Sequence, residues 1–334
     1  MQHTITLIPG DGIGPEVAKA MQEVVEAAGI DARWEVFEAG EMAYQKYGKY
    51  LPDDLLESIR RNKVAIKGPI TTPIGEGFPS INVALRKMFQ LYANFRPIRN
   101  MPGVKTPFDN IDILVVRENT EDLYAGLEHE VVPGVVESLK IITAEASTRI
   151  ARFAFEYARR HRRKKVTAIH KANIMKLSDG LFLKCVRAIA QDFPEIYYDE
   201  LIVDNACMQM VLNPRQFDVM LLENLYGDIM SDLGAGLVGG LGLVPGANLG
   251  DECAIFEPVH GSAPKIAGKG MANPTAMMLS AVLMFTHLGE SEKANRIQAA
   301  IEKVYARGVH LTPDIGGSTT TSQFTEAVMQ HLVN

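Results

Sequence analysis

The chain has 334 residues, 47% of them hydrophobic and 22% charged, with a formal net charge of −6. This is an ordinary soluble globular composition with enough chain for a large core, and its mild acidity argues against a general nucleic-acid binder. The cysteines, Cys185, Cys207 and Cys253, are odd in number and outside any C-x-x-C; that argues against a disulfide framework or a structural zinc site, and no run of clean apolar residues is long enough for a membrane span.

A strand predicted over Thr4–Ile8 runs into the turn PGDGIGPE without a basic and apolar leader before it. The turn resembles the glycine loop that seats a dinucleotide pyrophosphate. Its glycines, Gly10, Gly12 and Gly14, are spaced G-x-G-x-G, however, and Pro15 takes the third-glycine position. Glu38 stands roughly where a ribose-binding acid would. A tight strand-to-helix turn, with proline near the start of a helix over Pro15–Ala28, fits as well. Strands follow at Arg33–Phe37, Val64–Ile66 and Ile113–Arg117. Leu123 to Thr143 breaks the pattern: it reads as consecutive strands about a Pro133-Gly134 turn, an arm suited to clasp a second subunit. A helix over Ser147–Arg160 closes on RRHRRKK, Arg159–Lys165; cations suit a helix C-terminus, so the run reads as a helix end and not as a nucleic-acid patch. Next come a strand at Val166–His170, a helix at Leu181–Asp192, a strand at Asp218–Leu222, a helix at Tyr226–Val238, a strand at Ala254–Phe256 and a helix at Asn273–Leu288. Strands alternating with helices imply an α/β fold.

Three local features carry chemistry. Asp228 and Asp232 lie i,i+4 on one predicted helix, a spacing at which like charges destabilise a helix. A hard divalent cation would offset that, and Mg²⁺ takes one or two carboxylates plus substrate oxygens and water. Asp204, at the end of a predicted strand in LIVDNACMQM, is a third candidate ligand. Arg86, Arg96 and Arg117 form the second feature. Each could have an internal acidic partner, but three together fit a polyanionic small molecule gripped by guanidinium forks. The third is Lys171 in AIHKANIMKLSDG, which is either a solvated lysine or a proton relay among carboxylates and a metal.

Taken together, GDGIGPE, RENTEDLYAG, HKANIMKLSDG, NLYGDIMSDLGAGLVGGLG, EPVHGSAPKIAGKGMANPTA and DIGGSTTTSQFTEAV resemble, in order, the isocitrate/isopropylmalate dehydrogenase family of β-decarboxylating dehydrogenases. The resemblance spans essentially the whole chain. It implies the two-domain α/β fold of isopropylmalate dehydrogenase, distinct from the Rossmann fold, with a β-arm dimer clasp. Residues 1–97 plus 253–334 would form the large cofactor-side domain, and 98–252 the small domain. The implied reaction is metal-dependent oxidative decarboxylation of isocitrate to 2-oxoglutarate and CO2 with reduction of NAD, in a homodimer with shared sites. Arg86, Arg96, Arg117, Ser80 and Asn82 would hold substrate. Asp228 and Asp232, with Asp204 from the partner, would bind Mg²⁺ or Mn²⁺. The partner's Lys171 would take the hydroxyl proton, and Tyr124 would protonate the carbanion. Thr72, His260, Gly261, Ala263, Lys265, Ile266 and Asn273 would meet the cofactor.

Within that family the polar Ser80 and Asn82 favour a third substrate carboxylate over an isopropyl group, with homoisocitrate or isopropylmalate as alternatives. Some family members are non-catalytic regulatory subunits, but these typically lose part of the catalytic set, whereas Tyr124, Lys171 and the three aspartates stand here. Lys265-Ile266 is mixed: NAD enzymes usually carry Asp-Ile there and NADP enzymes Lys-Tyr. No Tyr–Arg pair four residues apart occurs around Tyr305 to Thr312, so NAD is expected, with NADP possible. The expected compartment is a bacterial cytoplasm, or a mitochondrial matrix after removal of a transit peptide.

Overall fold

Val64–Lys67 and Val219–Leu222 are buried along their whole length. Strands with no exposed face need helices on both sides of their sheet, and these have them. The computed structural model of the chain describes residues 2–72 and 80–333. Its strands are β1 (His3–Ile8), β2 (Ala32–Val36), β3 (Val64–Lys67), β4 (Ala93–Arg99), β5 (Asp112–Glu118), β6 (Glu128–Val132), β7 (Val135–Ser138), β8 (Lys165–His170), β9 (Tyr197–Ile202), β10 (Val219–Leu222), β11 (Pro245–Leu249) and β12 (Ala254–Pro258). Its helices are α1 (Gly14–Ala27), α2 (Glu41–Tyr47), α3 (Asp53–Asn62), α4 (Ile81–Met88), α5 (Ala144–Arg160), α6 (Ser178–Ala190), α7 (Val203–Leu212), α8 (Asn224–Leu237), α9 (Thr275–His287), α10 (Ser291–Arg307) and α11 (Thr321–Val333).

Ten strands form one sheet in the order β2-β1-β3-β12-β11-β4-β5-β10-β8-β9. β2, β1, β3 and β12 are parallel to one another, as are β5, β10, β8 and β9. The two blocks meet through antiparallel pairings of β12 with β11, β11 with β4, and β4 with β5. The functional residues gather at this junction. One core cluster runs from Val17 and Met277 to Val116 and Phe155 without a break. The expected division at 97/98 therefore falls inside β4, in a continuous sheet.

β4 and β11 were not among the sequence-predicted strands, and β9 is the strand expected to end at Asp204. β4 carries Arg96 and Pro97, and β11 is PGANL; proline, glycine and charge hide a strand whose neighbours supply the burial. Asp204 begins a helix instead of ending a strand: β9 stops at Ile202 and Asp204 lies in the first turn of α7. The arm is confirmed but shorter than expected. β6 and β7 pair antiparallel over Glu128–Ser138, while Leu123–Ala125 is a 3-10 turn.

The glycine turn does not cradle a pyrophosphate. Gly10 and Gly12 have φ of 82° and 60°, conformations that L side chains avoid. A Cβ at Gly10 would collide with the Pro69 carbonyl, and one at Gly12 with the Ser262 carbonyl. Asp11 N donates to Pro69 O at 2.7 Å and Ile13 N to Ser262 O at 2.9 Å. The glycines thus let three loops pack backbone against backbone, and Glu38 pairs with Lys46 at 3.2 Å.

The basic run is a structural helix end. α5 stops at Arg160, and Arg163 reaches Asp112 at 2.7 Å and Asp218 at 2.9 Å. Asp218 also accepts from the backbone of Lys164 and Lys165 at 2.6 and 3.1 Å. Asp218→Ala leaves these donors without their acceptor and is expected to destabilise the fold by about 1–3 kcal/mol. A urea melt with an unchanged m-value checks this.

Candidate active site

β5 is apolar until its last turns, where Arg117 sits with no exposed surface and Glu118 is nearly buried. Arg117 remains charged because partners surround it. Its Nε donates to Asn224 Oδ1 at 2.9 Å, its Nη1 contacts Asp228 Oδ1, and its guanidinium lies 4.9 Å from the Tyr124 ring centre. Burial, with repulsion from Arg86 and Arg96, lowers its pKa to about 10, still cationic at neutral pH. α8 passes close above it. A Cβ at Gly227 would stand 2.5 Å from the Arg117 Cγ, so glycine at that position lets helix and arginine share the space.

Arg96, from β4, donates to Ser231 Oγ at 2.6 Å and lies 3.4 Å from Asp228 and 3.5 Å from Asp232. Tyr124 donates to Asp228 Oδ2 at 2.6 Å. Burial pushes the Asp228 carboxyl up, but Arg117, Arg96 and the Tyr124 hydroxyl outweigh it and hold the carboxyl below its usual range. Asp232 shifts the other way, through burial and despite Arg96, with Asp228 adding repulsion. Burial, then the bond to Asp228, raises the Tyr124 pKa. At neutral pH the tyrosine therefore keeps its proton.

The opposite wall is a buried pair that the sequence reading missed. Glu257 ends β12 and meets Lys67 of β3 at 2.5 Å, Arg86 of α4 at 3.3 Å and the Asn248 amide at 2.7 Å. Although burial opposes ionisation, Lys67 and Arg86 hold its carboxyl well below the ordinary range. Charged residues capping the apolar strands VAI and AIF were the available signal, the one that had singled out Arg117.

These groups enclose a cleft of about 260 Å³ lined by Ser80, Asn82, Arg86, Arg96, Arg117, Tyr124, Asp228, Asp232, His260 and Gly261, together with Lys67, Val83 and Glu257. Among the described residues, Arg86 Nε, Arg96 Nε and one terminal nitrogen of Arg117 are buried with no hydrogen-bond partner, as is Asn82 Oδ1. Buried donors without partners are costly; several around one cleft suit an anion with several oxygens. His260 also lines a neighbouring hollow with Ile13, Ile266, Met271, Asn273, Pro313 and Asp314, so the two spaces adjoin. The His260 Nε2 is buried without a partner. Apolar walls with few polar groups suit an adenosine.

Thr72 touches the cleft through Ser80, Oγ to Oγ at 3.4 Å. Ala263 and Lys265 line neither space. Tyr305 is fully buried, bonding Thr275 and Asn273, so it is not the start of a surface stretch; Pro313 and Asp314 border the hollow instead. Lys171 and Asp204 lie outside the cleft and pair with each other at 2.5 Å. Among the described residues, no group of three His, Cys, Asp or Glu side chains within one chain could hold a metal. Asp228 and Asp232 offer hard oxygen donors on one helix face, the chemistry Mg²⁺ or Mn²⁺ prefers, with Asp204 apart.

The chain belongs to the isocitrate/isopropylmalate dehydrogenase family, whose family description matches residues 4–328. It is 54% identical over 98% of its length to catalytic subunit 5 of mitochondrial NAD isocitrate dehydrogenase from Arabidopsis thaliana, covering 88% of that protein. It is 55% identical over 91% of its length to chloroplastic 3-isopropylmalate dehydrogenase from Solanum tuberosum, covering 85% of it. The crystal structure of isocitrate dehydrogenase from Methylococcus capsulatus matches with a TM-score of 0.97 and 50% identity, each chain covered in full. No helix among the described residues is long and apolar enough to cross a membrane.

Glu257→Gln leaves Lys67 and Arg86 buried against a neutral group, which costs about 3–5 kcal/mol for a broken buried pair. The carboxyl's pKa is depressed in the fold, so its contribution is complete above the unfolded carboxylate pKa and is lost as pH falls through the lower folded value. Wild-type stability should decline on acidification over that window, and the variant's should decline less. Gly227→Ala should displace Arg117, costing about 1–3 kcal/mol by overpacking and most of the turnover. Thermal melts across pH, with initial rates, test both.

Proposed function

We propose that the chain is a catalytic subunit that oxidises and decarboxylates isocitrate to 2-oxoglutarate and CO2, using NAD and Mg²⁺ or Mn²⁺. The observation that carries this is that the arginines with buried guanidinium donors unpartnered among the described residues line the same cleft as Asp228 and Asp232. Isopropylmalate is the second reading, favoured by the Solanum tuberosum relative and by Val83 in the cleft wall. Ser80 and Asn82, polar on the same turn, suit a third carboxylate better than an isopropyl group.

In this reading Arg86, Arg96 and Arg117 grip the substrate carboxylates, while Ser80 and Asn82 orient the remaining one. Asp228 and Asp232, aligned on α8, would hold the cation with Asp204 of a second copy. Lys171 of that copy takes the C2 hydroxyl proton. Bound in these places, NAD would supply the acceptor for the C2 hydride and the divalent cation a Lewis acid for the negative charge that develops as CO2 departs. Tyr124 then donates its retained proton to the carbon that CO2 has left. The same set of groups argues against a regulatory role, which would not need a proton donor, a base and a carboxylate pair together.

For the dinucleotide, His260, Ile266 and Asn273 border the hollow, Gly261 lines the adjoining cleft, and among the described residues of the hollow's wall the carboxylate is Asp314. A carboxylate opposes a 2′-phosphate, and an exposed ion pair from Lys265 would be worth only about 0–1 kcal/mol, so NAD is favoured over NADP. The domain division and the homodimer belong to this proposal. The arm exposes Val131, Val132, Val135 and Val136, and α7 exposes Met208, Val211 and Leu212; apolar surface of this kind suits burial against a second copy. A mitochondrial matrix fits the mitochondrial name of the Arabidopsis thaliana relative.

Initial rates with isocitrate, isopropylmalate, homoisocitrate and tartrate, each with NAD and NADP, test the assignment; isocitrate with NAD should give the highest kcat/KM. Chelation should abolish turnover, Mg²⁺ or Mn²⁺ should restore it, and Asp232→Asn should raise the cation concentration required. Ser80→Asp should nearly abolish isocitrate turnover, whereas Ser80→Ala loses a hydrogen bond worth about 0.5–3 kcal/mol. Preference for isopropylmalate, or full activity without metal, would refute the reading.

A further inference from the structure

Behind the cleft lies a second buried charge cluster that the mechanism does not use. Lys140 follows β7 at the root of the arm. Its Nζ lies 2.6 Å from Asp179 Oδ1, 2.6 Å from Glu223 Oε2 and 4.0 Å from Asp122 Oδ1. It also sits 4.6 Å from the Tyr226 ring centre. The carboxylates are almost wholly buried. One cation thus faces three carboxyl groups, and among the described residues Glu223 Oε1 and Asp122 Oδ1 have no hydrogen-bond partner. Burial pushes the Glu223 carboxyl up to about 8 against the pull of Lys140, with Asp179 and Asp122 adding repulsion. Removing a lone cation from such a set leaves uncompensated buried charge, so the arrangement depends on it.

Each carboxylate leads somewhere. Asp179 Oδ2 accepts the backbone N–H of Lys171 at 2.6 Å, fixing the loop that carries that lysine. Glu223 immediately precedes α8 and its carbonyl accepts from Gly227 N at 2.9 Å, one residue before Asp228. Asp122 Oδ2 accepts Leu225 N at 2.7 Å in the first turn of α8. Asp122 N, in turn, donates to Ile141 O at 2.8 Å across the arm's root.

We propose that Lys140 is a positioning residue that ties the arm to both halves of a shared site, to Lys171 through Asp179 and to the head of α8 through Glu223. This rests on the reading above, in which Lys171 serves the neighbouring subunit and Asp228 serves its own. The same ammonium group then sets the base of one site and the carboxylate helix of the other, and docking the arm on a second chain bears on both.

Mixed dimers separate the two effects. A Lys171→Met chain paired with an Asp228→Asn chain holds one intact site, built from Asp228 of the first and Lys171 of the second, so activity should return on mixing. Lys140→Met added to the first chain probes the helix side, and added to the second probes the lysine side. From either chain it should lower the restored kcat by about tenfold or more, with KM for isocitrate changed less than about threefold. Lys140→Arg, which keeps the charge, should retain much more activity than Lys140→Met. Asp179→Asn in the second chain, milder in charge, should lower kcat in the same way should Lys140→Met fail to fold. A pair that does not complement overturns the shared-site reading and this proposal with it. A pair that complements but ignores Lys140→Met in either chain, or treats arginine and methionine alike, overturns the proposal alone.

Discussion

Burying several guanidinium groups side by side is the constraint around which this structure is organised. Arg86, Arg96 and Arg117 repel one another enough that Arg86 and Arg96 help depress the pKa of Arg117. They stay in place because carboxylates face them: buried Glu257 on one wall, half-buried Asp228 and the more exposed Asp232 on the other. Glu257 comes from β12 and both aspartates from α8, while Lys67 and the arginines come from β3, α4, β4 and β5, so all six elements must be in register before the charges balance. The core chiefly serves to hold those elements at fixed spacing. The three guanidinium donors without partners among the described residues are what a polyanionic ligand would complete.

Small residues make that crowding possible. Gly227 lets α8 lie on the Arg117 stem, and Gly246 sits where a Cβ would stand 3.1 Å from the Glu257 carbonyl oxygen. Beneath the cleft, Gly10 and Gly12 bring three loops into backbone contact. The glycines most suggestive of nucleotide binding in the sequence are therefore packing residues. The hollow proposed for the cofactor touches their turn at Ile13 and is otherwise walled chiefly by the segments around His260, Asn273 and Asp314.

Much of the site was legible because its residues violate the local pattern. Asp228 and Asp232 sit too close for a comfortable helix, and Arg117 ends a strand too apolar to expose it; the structure places all three in one cleft. Lys67 and Glu257 carried the same signal and passed unnoticed, since a single charge next to an apolar run is common. Lys140 gave no signal at all, because its meaning lies in three carboxylates 18, 39 and 83 positions away. Strands β4 and β11 escaped for a related reason: their burial comes from neighbours distant in sequence, and their own prolines, glycines and charges point the other way. Lys171 and Asp204 could be named as candidates, but a single chain does not bring them to the cleft.

The strand order also has a consequence for synthesis. β3 lies between β1 and β12, and β4 between β5 and β11, so each pairs on one side with a strand made some 150 to 190 residues later. As the chain leaves the ribosome, the outer parts of the sheet can zip up early, but its middle stays open until β11 and β12 emerge. Through that interval β3 and β4 present unpaired edges, the kind that recruit foreign strands. Protection from aggregation during translation therefore falls on whatever shields those edges. A chain truncated before residue 245 would lack the two strands that join the halves of the sheet, whatever its remaining sequence.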